Sequence, residues 1–565
     1  MVLKIRVLLF LTVLFLFFQT LPAQELSYVN YIDIPSGASQ EEIIAIAAKL
    51  TPSIRQYNWQ QLELIAFIHF GMNTFSNQEW GNGTDDPQLF NPSQLNADQW
   101  VLTLKNAGFR MVILTAKHHD GFCLWPSQYT DYSVKNCPWK NGQGDVVKEL
   151  ADACRKYNMK MGIYLSPWDR HSPYYGNGTD EYNDYFVNQL TELLTNYGEI
   201  SEVWFDGANG EGPGGKEQVY DQARWFSVIR KLQPNAVIAI AGPDVRWVST
   251  ETGYGKETEW SIRAADIQNR AELETQLPEE VAFIFDSTSI GTLEYIMRGP
   301  SLVWWPVEAD VSIRPGWFYH PEEDNLVKTP EELFDIYCSS SGRNAVLLLN
   351  VPPDTRGLIN EKDIESLTKF KNIISKIFAD NLLDGASVSQ VESKATQGLI
   401  NNPLIIEYTL PESITFDLLQ LKENIRTGQR IESFKLEYES GNTWTEITQG
   451  TTVGYKRILR FDPVTARHIR LTIESSRLMP DLLEVGLYKQ VDSLTSIHNI
   501  NPDTFIFSRN NTLYVKTTGS NRLTVYDLFG RVCFLQTVPA GTSAVPLKKG
   551  IYIVIVNGIT RKIII

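Results

Sequence analysis

Short apolar runs recur along the first two thirds of the chain, and longer stretches follow them in which apolar positions return every three or four residues. The runs are Leu64 to Phe70, Met111 to Thr115, Lys160 to Leu165, "EVWFD" at 202–206, "AVIAIAG" at 236–242, "LVWWP" at 302–306 and "AVLLLN" at 345–350. The amphipathic stretches are Gln94 to Ala107, Val146 to Tyr157, Asn183 to Tyr197 and Gln222 to Leu232. This alternation predicts the strand–helix rhythm of a parallel sheet. Seven strands are legible, and an eighth is expected in the irregular stretch between 245 and 300. No glycine-rich phosphate loop follows the first strand, so the α/β fold expected is a TIM-like (β/α)8 barrel, with an open doubly wound sheet as the alternative.

Near residue 380 the period changes. "FKLEYES", "WTEITQG" and "YKRILRFDPVTARHIRLTIES" alternate apolar with polar residues and break at turns, as antiparallel strands of a sandwich do. A last group of short strands, including "LYVKTTG", "RLTVYDLFGRV" and "GIYIVIVNGITRKIII", predicts a small separate β domain. The boundaries expected are 24–378 for the barrel, 379–492 for the β-sandwich and 500–565 for the C-terminal all-β domain.

Residues 1–23, "MVLKIRVLLFLTVLFLFFQTLPA", place Lys4 and Arg6 before an apolar run that ends in small and turn residues, the pattern of a cleaved signal peptide. Export, to the periplasm, the cell surface or the medium, is therefore expected, with no membrane span once the signal is removed; an uncleaved anchor is the alternative. The five cysteines are odd in number and widely spaced, which predicts neither a disulfide framework nor a zinc site. A net charge of −15, spread along the chain, argues against a nucleic-acid partner. Fourteen tryptophans leave aromatic faces to spare for planar or sugar-like ligands.

Polar residues gather where the apolar runs end. His69 closes "LIAFIHFGMNTF", and "KHHDGF" at 117–122 puts His118 and His119 after the second run, so three of the seven histidines are expected at one mouth. In "VWFDGANG", Trp204 and Asp206 lie two apart and share a strand face, which sets an aromatic ring beside a carboxylate while Phe205 turns away. An Asp before Gly is also an ordinary helix cap or turn residue. Glu251, in "RWVSTETGYG", is a second candidate carboxylate, and its loop also carries Glu257 and Glu259. Glutamates on surface loops are common in any protein.

The stretches "IHFGMNTF", "EWGNG", "LTAKHHDGFCLWPS", "GIYLSPWD", "EVWFDGANG" and "NAVLLLNVPPDTRG", spread over about residues 50 to 370, resemble the α-L-fucosidases of glycoside hydrolase family 29. "EADVSIRPGWFYHPEED" at 308–324 resembles the branch that prefers α-1,3- and α-1,4-linked fucose. The resemblance implies hydrolysis with retained configuration and no cofactor, acting on fucosylated oligosaccharides or glycoconjugates. It implies Asp206 as nucleophile and Glu251 as acid/base, with Glu259 as the alternative acid. His69, Glu79, Trp80, His118, His119 and Tyr164 would hold the fucose, Trp204 would pack near its ring, and the aromatic Trp317 could stack on a sugar beyond it. Residues 380–490 resemble the galactose-binding-like sandwich found fused to such enzymes. Residues 500–565, with "VYDLFGRV" and "GIYIVIVNG", resemble the C-terminal sorting domain read by the type IX secretion machinery.

Two other classes fit parts of the pattern. A metal-dependent TIM-barrel hydrolase would use His69, His118, His119 and Asp354 as ligands, but the first strand lacks the paired histidines of such sites. A glycan-binding protein without turnover would keep the pocket but has no need of both Asp206 and Glu251.

Overall fold

In a computed structural model of the chain, the described residues are 28–213, 215–275, 289–391, 399, 403–491 and the strands between 505 and 564 with a few flanking positions. The expected signal peptide at 1–23 lies outside them. The chain divides into two compact units, one ending at Gln490 and one beginning at Val491.

The first unit is built on eight strands: β1 (Leu64–Ile68), β2 (Met111–Lys117), β3 (Lys160–Leu165), β4 (Glu202–Phe205), β5 (Val237–Ile240), β6 (Arg246–Trp247), β7 (Val307–Ser312) and β8 (Val346–Asn350). They line up as β5-β4-β3-β2-β1-β8-β7-β6, every hydrogen-bonded neighbour running parallel. The ends of this sheet meet at an antiparallel bridge between Ala241 and Arg246, which closes it into the expected barrel. Residues 241–245 connect β5 to β6 with no room for a helix, and Arg55 and Gln56 of the helix Ile54–Gln60 cover the seam at Asp244 instead.

The helices form where the sequence caps them. α1 (Ala97–Asn106) is capped by Asn96, whose side chain accepts from the Gln99 N–H. α2 (Val146–Tyr157) is capped by Asp145 at the Lys148 N–H and ends on Asn158 in the left-handed region. Its buried residues, Val146, Val147, Leu150, Ala151, Ala153 and Cys154, make one stripe that lies against the sheet. α3 (Glu181–Asn196) and α4 (Gln222–Leu232) follow β3 and β4, and α5 (Pro330–Ser339) starts with a capping box of Thr329 and Glu332. α6 (Glu361–Ile377) follows β8.

One expected strand belongs elsewhere. The apolar run "LVWWP" predicts a barrel strand, but Ser301–Trp304 is the middle strand of a three-stranded antiparallel sheet with Tyr31–Asp33 and Ile262–Ala265. The barrel takes the next segment, "VEADVS", as β7. Glu308 and Asp310 point inward from that strand and are buried, so it lacks the unbroken apolar run that marks its neighbours.

The barrel interior mixes apolar and ionisable groups. Ile65, Phe67, Met111, Ile113, Tyr164, Trp204, Val237, Ala239, Val346 and Leu348 form its core. Gly162 on β3 is required by closeness: a Cβ there would stand 2.8 Å from Ile113 Cγ1 and 3.1 Å from the Glu202 carbonyl. Glu202 and Glu308 lie close to one another inside, both fully buried. Trp59 Nε1 donates to Glu202 Oε2 at 2.7 Å and Trp204 Nε1 to Glu308 Oε2 at 2.7 Å. Burial raises both carboxyls above the ordinary carboxylate range, and the charge of Glu202 raises Glu308 further.

After α6 the first unit continues into a six-stranded antiparallel sheet dominated by two strands, Leu404–Glu423 and Arg457–Ser476. Register shifts at Thr409/Ile414 and Phe416/Leu418 bend this pair. The sheet encloses its own core, with Phe416, Leu421, Phe434, Ile469 and Leu471 at the centre. The second unit is likewise all antiparallel: a three-stranded and a four-stranded sheet over a core of Leu513, Val515, Leu523, Val525, Val554 and Val556.

Candidate active site

The C-terminal ends of β1 to β4 place four groups together: His69 just after β1, His118 and His119 just after β2, Tyr164 near the end of β3, and Asp206 just after β4. Tyr164 is in register with Trp204, and the two rings stack at 5.3 Å. Trp204 is almost fully buried beneath the site and contacts Phe67 on its other side. Phe205 turns outward, as alternation requires, and packs on Phe186 and Trp225 of α3 and α4. Asp206 remains partly open, its side chain 26% exposed. Its Oδ1 accepts from the Ala208 N–H at 2.8 Å and its Oδ2 from the Tyr164 hydroxyl at 3.1 Å.

Hydrogen bonding fixes which nitrogen of each histidine is free. Asn350, at the end of β8, donates through Nδ2 to Ser312 Oγ and the Trp317 carbonyl, so its Oδ1 is an acceptor. His69 Nδ1, 2.9 Å from that oxygen, must carry the proton, which leaves the Nε2 lone pair for the pocket. Ser166 donates its hydroxyl proton to the Trp168 carbonyl at 2.6 Å, so it accepts from His119 Nδ1 at 2.7 Å. His119 Nε2 is then an acceptor too, 3.7 Å from Asp206 Oδ2. Burial lowers all three histidines: His69 to about 4, His118 well below its ordinary value with help from His119 and His69, and His119 more mildly because Asp206 opposes the shift. They are neutral rings at pH 7. His118 Nδ1 finds no hydrogen-bond partner among the described residues; the ring lies between Tyr164 and Phe318.

Across the mouth a second group forms around "RPGWFYH". Glu79 accepts from the backbone N–H of Trp317 at 2.9 Å and of Phe318 at 3.3 Å, and pairs with His320 Nε2 at 2.7 Å. Burial works against the Glu79 carboxylate, but His320 and these backbone donors outweigh it and hold its pKa below the ordinary value. Trp317 leans on His69 with ring centroids 5.0 Å apart and donates through Nε1 to Glu251 Oε2 at 3.4 Å. Glu251 is exposed at the rim, yet desolvation by its neighbours raises its pKa above the ordinary range, and the charges of Asp206 and Glu79 add to the rise. Trp80, half exposed, stands edge-on to both His119 and Trp168.

Glu259, the alternative acid, is almost fully buried in an ion pair with Arg246 and accepts from the Lys256 N–H at 2.9 Å. Asp354, the fourth member of the metal-ligand alternative, is paired with Arg356 at 2.6 Å. Sequence reasoning overlooked Asn350, His320, Glu308 and Asp310, and gave Ser166, within the strand-end stretch from Tyr164 to Trp168, no role of its own. Asn350 and Ser166 sit where apolar runs end in "AVLLLN" and "GIYLS", the signal that marked the histidines.

A family profile described as α-L-fucosidase matches residues 53–376. Alpha-L-fucosidase 1 of Arabidopsis thaliana is 44% identical over 465 residues, covering 77% of this chain and 87% of that protein. The crystal structure of a glycoside hydrolase family 29 fucosidase from Ruminococcus gnavus in complex with fucose is 34% identical, covers 79% of this chain and 96% of that one, and superposes with a TM-score of 0.70. A family 29 member from an unknown rumen bacterium, 34% identical, covers 88% of this chain and 95% of its own, again with a TM-score of 0.70. Barrel, histidine cluster and aligned relatives agree: this chain belongs to the α-L-fucosidases of glycoside hydrolase family 29.

Proposed function

We propose that this α-L-fucosidase is a retaining, exo-acting enzyme that releases α-1,3- or α-1,4-linked fucose from branched glycans, with Asp206 as nucleophile and Glu251 as acid and then base. The observation that carries the mechanism is the difference between the two carboxyls. Asp206 is oriented by Tyr164 and the Ala208 N–H at the foot of the pocket, while Glu251 stands at the rim with its pKa raised. Retention needs two such groups about 5 to 5.5 Å apart, one to attack and one to donate a proton. Asp206 bonds to the anomeric carbon as the glycosidic bond breaks, and the Glu251 proton goes to the departing oxygen. Glu251 then takes a proton from water, the water oxygen bonds to the same carbon, and Asp206 leaves as carboxylate.

The lone pairs of His69 Nε2 and His119 Nε2 accept hydrogen bonds from fucose hydroxyls. Glu79 and Trp80 border the same sugar, His118 and Tyr164 pack along it, and Trp204 supports Tyr164 from below. Neutral acceptors suit a neutral sugar, since no charge need be desolvated when it binds.

The linkage preference rests on Trp317, which joins the acid/base to the pocket and is partly exposed towards any sugar beyond the fucose. A Lewis-type trisaccharide should be cleaved with a kcat/KM well above that of a simple aryl fucoside, and α-1,2-linked fucose should be poor. A panel of fucosylated oligosaccharides measures this; equal efficiency on the aryl fucoside together with preference for the α-1,2 linkage sinks the proposal.

Export and delivery through type IX machinery are part of the same reading, supported by the N-terminal "MVLKIRVLLFLTVLFLFF" and by a C-terminal unit with its own core. Removing residues from about 500 onward should leave catalysis intact and strand the enzyme in the periplasm of its native host. Fractionation showing unchanged delivery would reject that role. For the galactose-binding-like sheet at 379–492 we favour packing against the barrel over sugar binding.

A further inference from the structure

The segment from Val248 to Trp260, which carries Glu251, is held from two sides. On the barrel side the Val248 N–H donates to the Glu308 carbonyl at 3.0 Å and the Gly253 N–H to the Asp310 carbonyl at 3.0 Å, both along β7. Gly253 has φ +75°, and a Cβ there would stand 2.8 Å from Val311 Cγ1, so only glycine lets the loop lie this close. The Gly255 N–H donates to the Ser339 carbonyl at 2.7 Å.

On the other side the segment meets the antiparallel sheet. Arg457, the first residue of one of its two long strands, donates to the Glu257 carbonyl at 2.8 Å and to Glu257 Oε1 at 3.0 Å. Glu257 Oε2 pairs with Arg343 at 2.8 Å, so one carboxylate bridges a guanidinium from each partner. Thr258 and Thr451 share a hydroxyl hydrogen bond at 2.7 Å, and the Ser261 N–H donates to Gln429 Oε1 at 2.9 Å. The Arg457 side chain is only 3% exposed, so its charge cannot turn to water when Glu257 is lost.

We propose that the antiparallel sheet is a positioning element of the active site: Arg457, acting through Glu257, fixes the loop that sets Glu251 over Asp206. The proposal rests on the assignment of Glu251 as acid/base. Without the Glu257 carboxylate, Arg343 and Arg457 face each other unneutralised, and their repulsion displaces the segment six residues from Glu251. A misplacement of about 1 Å can cost a hundredfold in rate.

The test compares kcat/KM, which reports the glycosylation step, for a fucosylated trisaccharide and for a strongly activated aryl fucoside whose leaving group needs no proton. Glu257→Gln should lose about ten- to a hundredfold on the trisaccharide and stay near wild type on the aryl fucoside. Its alkaline pH limb should also move. Glu251→Ala, measured beside it, should show the same selectivity in stronger form. If Glu251→Ala is selective but Glu257→Gln loses both substrates equally, or neither, the clamp is overturned and the acid/base assignment stands. If Glu251→Ala keeps the trisaccharide, the assignment fails and the clamp with it. Should Glu257→Gln fail to fold, Thr451→Val, which removes the Thr258 hydrogen bond from an exposed turn between the strands Thr443–Gly450 and Arg457–Ser476, carries the same comparison.

Discussion

Asp206→Ala should abolish turnover of every fucoside, whatever its leaving group, with a loss on the order of 10⁴-fold or more as for other nucleophile knockouts. The covalent step has no substitute, because the neighbouring polar groups, Tyr164 and His119, are held by burial in their neutral forms and supply no carboxylate. The fold should survive, since Asp206 gives up one hydrogen bond to Tyr164 and one to the Ala208 N–H at a partly open position. Steady-state kinetics on an oligosaccharide and on an activated aryl fucoside, with a thermal melt as control, test this. A variant that keeps a tenth of wild-type activity on either substrate would show that Asp206 is not the nucleophile.

Glu251→Ala should separate substrates that Asp206→Ala treats alike. General acid assistance contributes about 10² to 10⁴ in rate, and its loss matters most when the leaving group is a sugar alkoxide. On an activated phenolate the first step should persist, the second should become limiting, and azide should accelerate turnover by replacing the water that Glu251 activates. The alkaline limb of kcat/KM should lie above the ordinary glutamate range, because desolvation at the rim, Asp206 and Glu79 all keep the proton on Glu251. In Glu251→Gln that limb should vanish. Near-normal oligosaccharide turnover in Glu251→Ala would remove it from the mechanism.

Much of the barrel could be read from the chain because its strands are buried on both faces and therefore written as apolar runs. α2 and α4 run between the residues that periodicity named, Val146 to Tyr157 and Gln222 to Leu232. β6 and β7 were harder for two different reasons. Two residues, Arg246 and Trp247, are too short to show any period, and β7 hides its strand character behind inward carboxyls while the neighbouring Trp304 and Trp305 advertise a better strand. In the candidate site, positions were legible and states were not. His69, His118, His119 and Asp206 are found where apolar runs end, but the tautomers depend on Asn350 and Ser166, which come from other strands. Glu251 and Glu259 look alike in sequence. Only the fold separates them, by committing Glu259 to Arg246 and leaving Glu251 at the rim.

The buried pair of Glu202 and Glu308 gives the barrel an ingredient that is not in its covalent formula. The folded chain holds a proton there that the unfolded chain releases once the pH passes the ordinary glutamate value of about 4.3. Because the native state binds more protons, the pair's contribution to stability is complete at acid pH and declines as pH rises from that value towards the raised folded one. Hydrogen ions thus act on this enzyme as a stabilising ligand of its interior, beneath the mouth and joined to it through Trp204. Alkaline conditions should loosen the barrel even where the catalytic carboxyls are correctly charged, and Glu308→Gln, which carries its own hydrogen permanently, should flatten the fall in melting temperature between mildly acid and mildly alkaline buffer.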